Sequence, residues 1–306
     1  MHKIVSLLPS ATEIIASLGL IDSLVGRSHE CDYPPEIKKL PVCTAARLDS
    51  QKPSVAIDAE VQILLDSALS IYQVKTDIID KLAPTHIITQ DRCDVCAVNF
   101  SDVEKSVSQL INSHPQIISL QPHLLADVWS DIDRVAKILN LDSQPILQQL
   151  NSRINAIETK INNLDRDSLP TVIALEWTEP LMGIGSWLPE LITKAGGKNR
   201  LSLKGQNAPY LTWEQILKTD PDVIIIMPCG FDLDRTKNES KVLTENEGWY
   251  NLKAVKNERV YITDGNAYFN RPSPRLVDSI EILAEILHPN LFDFGYYTKA
   301  WDYLKI

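Results

Sequence analysis

The feature that most constrains the fold of this chain is a regular alternation of short apolar runs with amphipathic stretches, seen once in each half. The runs that are typical of buried strands lie at 4–8, 23–28, 85–89, 116–120, 170–175, 222–227 and 259–263. Helix-like patterns separate them, and such alternation is typical of βαβ units and a parallel sheet. Since 306 residues are enough for two ordinary cores, the sequence predicts two α/β lobes.

Between the two halves, apolar positions at helical spacing continue over residues 124–164, with a break suggested at 140–145. About forty residues of helix do not fit inside one small α/β layer, so we interpret this segment as a connection from one lobe to the other. The predicted boundaries are an N-terminal lobe over 1–123, a long connecting helix over 124–166 and a C-terminal lobe over 167–306.

A short internal similarity supports two related halves. Residues 82–88 and 219–225 both place a proline between a helix-like and a strand-like run. Beyond the strand, cysteine follows in each half: Cys93 and Cys96 in the first, Cys229 in the second. If the two lobes face each other, these loops are expected to meet across a cleft.

The positions of the cysteines suggest chemistry at the ends of strands. In open parallel sheets the loops after the strands line the ligand crevice, so thiols there are candidates for contact with a ligand or metal. Cys31, Cys93, Cys96 and Cys229 are the candidate metal ligands, for zinc or an iron–sulfur cluster. A dithiol redox role and simple buried thiols are the alternatives, because there is a single CxxC pair. Cys43 lies on an apolar run, which favours a core position.

Charge and motifs exclude several classes of function. Thirty basic against forty acidic residues give a net charge of −10, which disfavours a nucleic-acid partner. No apolar run approaches the roughly 18 residues of a membrane span, so no membrane insertion is expected. Because Met1 leads directly into a strand-like run, we expect a cytoplasmic protein, or a periplasmic one if a signal peptide was trimmed. Phosphate-cradling and hydrolase motifs are absent, which favours a binding protein over an enzyme.

Several segments resemble the cobalamin-binding branch of the helical-backbone (class III) substrate-binding proteins of ABC transporters. They are SLLPSATE at 6–13, GRSHECDYP at 26–34, QDRCDVCAV at 90–98, the pair at 176–177, the stretch at 183–190, and PCGF at 228–231. The resemblance implies two Rossmann-like lobes with parallel sheets, joined by one long backbone helix, with a ligand cleft between the lobes. It also implies delivery of a corrinoid, ferric siderophore, haem or metal ion to an ABC importer.

Strand-end position and the resemblance together indicate a set of ligand contacts. The predicted contact residues are Pro9, Ser10, His29, Glu30, Glu176, Trp177, Trp187, Phe231 and Arg271. Ser10 with Glu13 predicts a capping box at the first helix. The two tryptophans flank Gly183–Gly185, where backbone is expected to approach a planar ligand closely.

Two functions follow as hypotheses. The first is a binding protein that holds a corrinoid such as cobalamin, or a related tetrapyrrole or metal chelate. The second is a metalloprotein or redox enzyme that uses a cysteine-lined cleft with zinc or an iron–sulfur cluster.

Overall fold

The structure, a computed structural model, describes residues 2–66, 71–90 and 100–305. Contacts divide the chain into a first unit of residues 1–122 and 126–147 and a second unit of residues 123–125 and 148–306. The boundary between 147 and 148 falls inside a helix. The prediction of two α/β units with parallel sheets is confirmed.

The first unit is built on a four-stranded parallel sheet with the order β2, β1, β5, β6, and β3 pairs with β4 as a separate two-stranded antiparallel sheet. Its strands are β1 (Ile4–Ser6), β2 (Leu24–Arg27), β3 (Thr44–Ala46), β4 (Tyr72–Val74), β5 (His86–Gln90) and β6 (Gln116–Leu120). Its helices are α1 (Pro9–Ser17), α2 (Ser54–Asp66), α3 (Thr76–Leu82), α4 (Phe100–Ser108) and α5 (Leu125–Ile138). Apolar residues from β1, β5, α3 and α4 form its core.

The second unit begins within α6 (Gln144–Ile161) and contains a five-stranded sheet with the order β10, β7, β11, β12, β13, in which only the edge strand β13 is antiparallel. The strands are β7 (Thr171–Leu175), β8 (Trp177–Thr178), β9 (Leu181–Met182), β10 (Lys198–Asn199), β11 (Val223–Ile226), β12 (Val260–Thr263) and β13 (Trp301–Tyr303). The helices are α7 (Leu188–Lys194), α8 (Trp213–Thr219), α9 (Leu233–Glu239), α10 (Lys253–Lys256) and α11 (Leu276–Leu287). Every residue of β11 and β12 is buried, as expected for β-branched strands inside a parallel sheet.

Two local expectations can be compared with the structure. The break suggested at 140–145 is present, because α5 ends at Ile138 and Asn140 adopts a left-handed conformation with φ 58° before α6 begins at Gln144, so the segment predicted as a long connecting helix contains two helices. The capping box predicted at Ser10 is wrong: α1 begins at Pro9 with Leu8 as its N-cap, so Ser10 lies inside the first turn. Proline is favoured at that first position because it lacks the amide hydrogen that would have no partner.

The internal similarity is also a structural repeat. The residue before the shared proline, Ala83 in one unit and Asp220 in the other, ends its helix in the left-handed region, with φ 46° and 42°. The strand that follows lies beside the first strand of its unit, β5 beside β1 and β11 beside β7. We number the four main parallel strands of each unit in chain order, which are β1, β2, β5 and β6 in the first unit and β7, β10, β11 and β12 in the second. In this numbering both sheets have the same strand order, namely second, first, third, fourth.

Thr85 and Asp222, the residues directly after the two prolines, make equivalent contacts. The Thr85 hydroxyl accepts a hydrogen bond from the Lys3 backbone amide at 3.0 Å, next to β1. The Asp222 carboxylate accepts one from the Thr171 backbone amide at 2.9 Å, at the start of β7. Each contact fixes the start of the first strand against the third.

Among the described residues, none of the helices is both long and apolar enough to span a bilayer.

Candidate functional site

The strand order puts a topological switch point in each sheet. In the first unit the chain leaves β1 for β2 on one side and later returns to β5 on the other. In the second unit it leaves β7 for β10 on one side and returns to β11 on the other. Ligands of open α/β sheets bind outside the carboxyl ends of the strands at such a point. The first-unit edge is defined here as residues 7–10 and 28–31, and the second-unit edge as residues 176–177, 227–231 and 264–271.

At the first-unit edge, α1 starts immediately after β1 and carries Pro9 and Ser10 in its first turn. Ser10 is 2% exposed, and its hydroxyl has no hydrogen-bond partner within the part of the chain that is described. The Thr12 hydroxyl lies 2.8 Å from the Ser6 hydroxyl and 3.1 Å from the Cys31 sulfur. These contacts connect the loop after β1 with the loop after β2.

The loop after β2 is held by the last residue of that strand. The Arg27 guanidinium donates to the carbonyl oxygens of Ser28 at 2.9 Å and Cys31 at 3.1 Å. Because both ends of the loop bond to one planar guanidinium group, the backbone around His29 and Glu30 is held in place at both ends. Those two residues are half-buried, so they present side chains at the surface of the edge.

His29 is oriented by the two-stranded β3–β4 sheet. Its Nδ1 lies 2.7 Å from the Thr44 hydroxyl, which also accepts from the His29 backbone amide at 3.0 Å. The Tyr72 ring packs 5.3 Å from the imidazole, and the Tyr72 hydroxyl donates to the Glu30 carboxylate at 2.8 Å. Burial, then the positive charges of Lys75 and Arg27, lower the pKa of His29, so its neutral form is favoured.

The cysteines are distributed over both units. Cys31 is 1% exposed in the first unit and Cys229 is half-buried in the second. Cys43 is fully buried in the core, where burial raises the pKa of its thiol to about 11. Residues 2–66, 71–90 and 100–305 hold no group of three His, Cys, Asp or Glu placed to bind a metal ion. Cys93 and Cys96 lie outside the described residues, so the four-cysteine metal site stays a prediction.

At the second-unit edge, the loops after β7 and β11 lie side by side. The Cys229 backbone amide donates to the Glu176 carbonyl oxygen at 3.3 Å, and the Glu176 carboxylate accepts from the Gly185 amide at 3.1 Å. Gly185 lies close to neighbouring backbone, because a Cβ there would lie 2.5 Å from the Ala208 nitrogen. The predicted approach of a ligand to the backbone of this glycine stretch stays a prediction.

An aromatic cluster covers these two loops. The rings of Trp177 and Phe231 lie 5.0 Å apart, and the Arg235 guanidinium lies 3.8 Å from the centre of the Phe231 ring. Phe231 is 2% exposed, so the ring that packs against Trp177 is buried. Trp177 itself is half-buried and keeps part of its surface exposed. The Trp177 indole nitrogen is buried and has no hydrogen-bond partner among the described residues.

Two other predicted contact residues are buried. Trp187 is 6% exposed and its indole donates to the Phe269 carbonyl oxygen at 3.0 Å. Arg271 is 5% exposed and donates to the Asn266 side chain at 2.9 Å. In this structure both side chains brace the segment after β12, and their predicted contacts with a ligand stay predictions.

The segment after β12 is an unusual turn that the sequence did not reveal. Residues Gly265–Phe269 form a π-helical turn, a geometry found frequently at functional sites. The Asp264 carboxylate caps it by accepting from the Ala267 amide at 2.7 Å, and burial raises the pKa of Asp264. Gly265 is pressed against the loop after β11, because a Cβ there would lie 2.2 Å from the Pro228 carbonyl oxygen.

Comparison with known proteins gives the family. A family model described as periplasmic binding protein matches residues 4–267. The uncharacterized ABC transporter substrate-binding lipoprotein YvrC of Bacillus subtilis is 26% identical over 293 residues, which cover 95% of this chain and 81% of YvrC. The high-affinity heme uptake system protein IsdE of Staphylococcus aureus is 29% identical over 119 residues, 37% of this chain and 41% of IsdE.

Solved structures share the fold. The periplasmic vitamin B12 binding protein BtuF of Vibrio cholerae superposes with a TM-score of 0.65 at 21% identity, over 95% of this chain and 98% of BtuF. The heme complex of S. aureus IsdE superposes with a TM-score of 0.67 at 18% identity, over 94% and 99% of the two chains. These similarities show that the fold extends over nearly the whole chain.

Proposed function

The chain belongs to the periplasmic binding protein family, and we propose that it is a carrier that binds a corrinoid or a related metallated tetrapyrrole. The observation that carries the proposal is the position of the predicted contact residues. Pro9 and Ser10 follow β1, Glu176 and Trp177 follow β7, and Phe231 follows β11, which are strands that border the two switch points. Such a position is where α/β sheets bind ligands.

The chemistry of each edge, taken by itself, supports contact with part of a tetrapyrrole ligand. Trp177 offers exposed ring surface that is backed by Phe231, which suits contact with a macrocycle. His29 and Glu30 offer an imidazole and a carboxylate on a loop fixed by Arg27. The names of similar proteins add support, since V. cholerae BtuF is a vitamin B12 binding protein and S. aureus IsdE is solved with heme.

The same family membership supports an ABC importer as partner, in agreement with the name of B. subtilis YvrC, an ABC transporter substrate-binding lipoprotein. We propose that the protein hands its ligand to such an importer from the outer side of the membrane. The earlier expectation of a cytoplasmic protein stays the alternative. Fractionation of the native organism, with detection by antibody, tests both locations.

The cysteine-based metalloprotein gains no supporting observation from the described residues. Cys31 is buried at 1% exposure, and no described group of three ligating side chains accompanies Cys31 or Cys229. Elemental analysis of anaerobically purified protein tests this alternative. Stoichiometric zinc or iron that is lost on replacing Cys93 and Cys96 would favour it over the carrier.

Binding is the direct test of the carrier. Purified protein is titrated with cyanocobalamin, diaquocobinamide and haemin, and binding is followed by tryptophan fluorescence quenching and by co-elution in gel filtration. We expect stoichiometric, saturable binding of at least one of these ligands, weakened by Trp177→Leu. Absence of saturable binding to all three would overturn the proposed function.

A further inference from the structure

His29 has the arrangement of a histidine prepared to coordinate a metal. The Thr44 hydroxyl donates its hydrogen to the Ser28 hydroxyl at 3.0 Å, so toward His29 it acts as an acceptor. It receives a hydrogen from the His29 backbone amide at 3.0 Å, and in the tautomer with a hydrogen on Nδ1 it accepts that hydrogen as well, at 2.7 Å. Because a neutral imidazole carries one ring hydrogen, a hydrogen on Nδ1 leaves Nε2 with its lone pair.

The lone-pair nitrogen is available. Nε2 makes no hydrogen bond to any residue in the described part of the chain, and it is not fully buried. Nδ1 is hydrogen-bonded to Thr44, whose side chain is 0% exposed. The imidazole packs against the Tyr72 ring, with 5.3 Å between the ring centroids. Metal-binding histidines typically show this pattern, in which a hydrogen bond from the second nitrogen fixes the tautomer and the ring orientation.

The residues around Nε2 of His29 favour a metal ion that is already coordinated by a macrocycle over a free metal ion. A bare cation needs three or four protein ligands, and no group of that kind occurs among residues 2–66, 71–90 and 100–305. The charges of Arg27 and Lys75 act on the imidazole, and Glu30 next to it is bonded to the Tyr72 hydroxyl. Two cations near one nitrogen disfavour a free divalent ion. A metal held in the four nitrogens of a tetrapyrrole requires only one additional ligand.

We propose that His29 Nε2 is an axial ligand to the metal at the centre of the bound macrocycle, an inference that rests on the proposed function. Nε2 donates its electron pair to the metal and the water molecule in that axial position leaves. No proton is transferred and the oxidation state of the metal does not change, because Nε2 is already unprotonated. The shared chemistry is an open axial position on cobalt or iron, in a corrinoid or a haem.

The test separates coordination from binding. Wild-type protein, His29→Ala and the control His114→Ala, which replaces an exposed histidine, are each titrated with diaquocobinamide, haemin and metal-free protoporphyrin IX. Visible spectra report the axial ligand, and tryptophan fluorescence reports binding whether or not the metal is coordinated. A shift with cobinamide alone assigns a corrinoid, a shift with haemin alone assigns a haem, and both together assign a general axial site.

We expect wild type and His114→Ala to replace the axial water of at least one metallated ring by a nitrogen ligand, with a shift in the visible bands. In His29→Ala the shift is lost and the dissociation constant for that ring rises about tenfold or more, while metal-free protoporphyrin binds as it does to wild type. A shift that persists in His29→Ala, or binding without any shift, overturns the inference and leaves the carrier standing. Failure of every ring to bind overturns the carrier and the inference together.

Discussion

The Thr44 hydroxyl lies 2.7 Å from Nδ1 of His29 and 3.0 Å from the His29 backbone amide, so one buried side chain orients both the ring and the loop that carries it. Thr44 is on the short strand β3, fifteen residues after the histidine. The contact links the two-stranded β3–β4 sheet to the edge of the main sheet of the first unit. A substitution at Thr44 therefore changes the orientation of the His29 ring while the histidine itself is retained.

Thr44→Val keeps the shape of the side chain and removes the acceptor for Nδ1. We expect the affinity of the protein for a metallated macrocycle to fall by about 10- to 100-fold, as is typical when the hydrogen-bond partner of a ligating histidine is lost. Binding of metal-free protoporphyrin is expected to be unchanged. The measurement is a visible titration with diaquocobinamide or haemin, whichever the wild type coordinates.

Thr44→Ser is the matched control because it retains the hydroxyl, and it is expected to coordinate like wild type. Equal coordination by Thr44→Val and Thr44→Ser would show that the hydroxyl does not orient the ring. Thermal unfolding of both variants checks for a general effect, since a buried amide or hydroxyl left without its partner costs about 1–3 kcal/mol.

Trp177 is expected to contribute ring surface to the ligand. Trp177→Leu removes the aromatic face that packs 5.0 Å from Phe231, and we expect the dissociation constant for the bound macrocycle to rise about 3- to 10-fold. Trp177→Phe retains a ring and is expected to lose less. Isothermal calorimetry measures both. The contact with the ligand is contradicted if Trp177→Leu binds as tightly as wild type.

Much of the fold could be predicted because most main strands lie in apolar runs that contain β-branched residues, whereas β10 (Lys198–Asn199) has no such run and was not predicted. The run at 116–120 corresponds to β6, and the run at 222–227 contains β11 (Val223–Ile226). Such runs mark strand ends, and strand ends mark the edges where Glu176 and Phe231 lie. The β3–β4 sheet could not be found this way, since its two short strands, TAA and YQV, lie in no apolar run.

The side-chain environment at the edges was harder to predict than their position. Nothing in the sequence around Trp187 and Arg271 shows that each is at least nine-tenths buried, because burial depends on segments distant in the chain. The link of His29 to Thr44 and Tyr72 depends on the same kind of distant contact. Conversely, Gly185 was recognised as a site of close approach, and the structure shows close approach to backbone near Ala208, while the approach to a ligand stays a prediction.

Gly265 lies in the loop after β12 and packs against the loop after β11, so there is no room for a side chain at this position. We expect Gly265→Ala to lower the free energy of unfolding by about 1–3 kcal/mol or more, as overpacking does, because the new Cβ would lie 2.2 Å from the Pro228 carbonyl oxygen. Urea unfolding measures the loss. Ligand affinity is expected to fall as well, since Phe231 follows the displaced proline by three residues.

Gly19→Ala is the control, because nothing lies within 4 Å of its Cβ position and only the backbone strain of a positive φ, 78°, is added. That strain is expected to cost about 1–2 kcal/mol, without a change in ligand affinity. A Gly265→Ala protein that binds ligand as tightly as Gly19→Ala would show that the packing of these loops does not shape the site.

His288 predicts a pH dependence of stability that is separate from the site. Its ring is half-buried after α11, and Nε2 donates to the Gly196 carbonyl oxygen at 3.1 Å. Burial lowers the pKa of His288, opposed by the bond to Gly196 and assisted by the charge of Arg259. A pKa that is lower in the folded than in the unfolded protein means that the stabilisation is complete above the unfolded value, about 6.5, and is lost as pH falls toward the folded value.

His288→Gln supplies an amide that can donate to the same carbonyl and does not titrate. We therefore expect the free energy of unfolding of the wild type to fall more steeply than that of His288→Gln as the pH is lowered from neutral to mildly acidic. Urea unfolding at a series of pH values measures the difference between the two curves. Since all other groups titrate in both proteins, parallel curves would mean that His288 is not held neutral by its burial, whereas a steeper fall of the wild-type curve would assign the additional lost stability to protonation of this one ring.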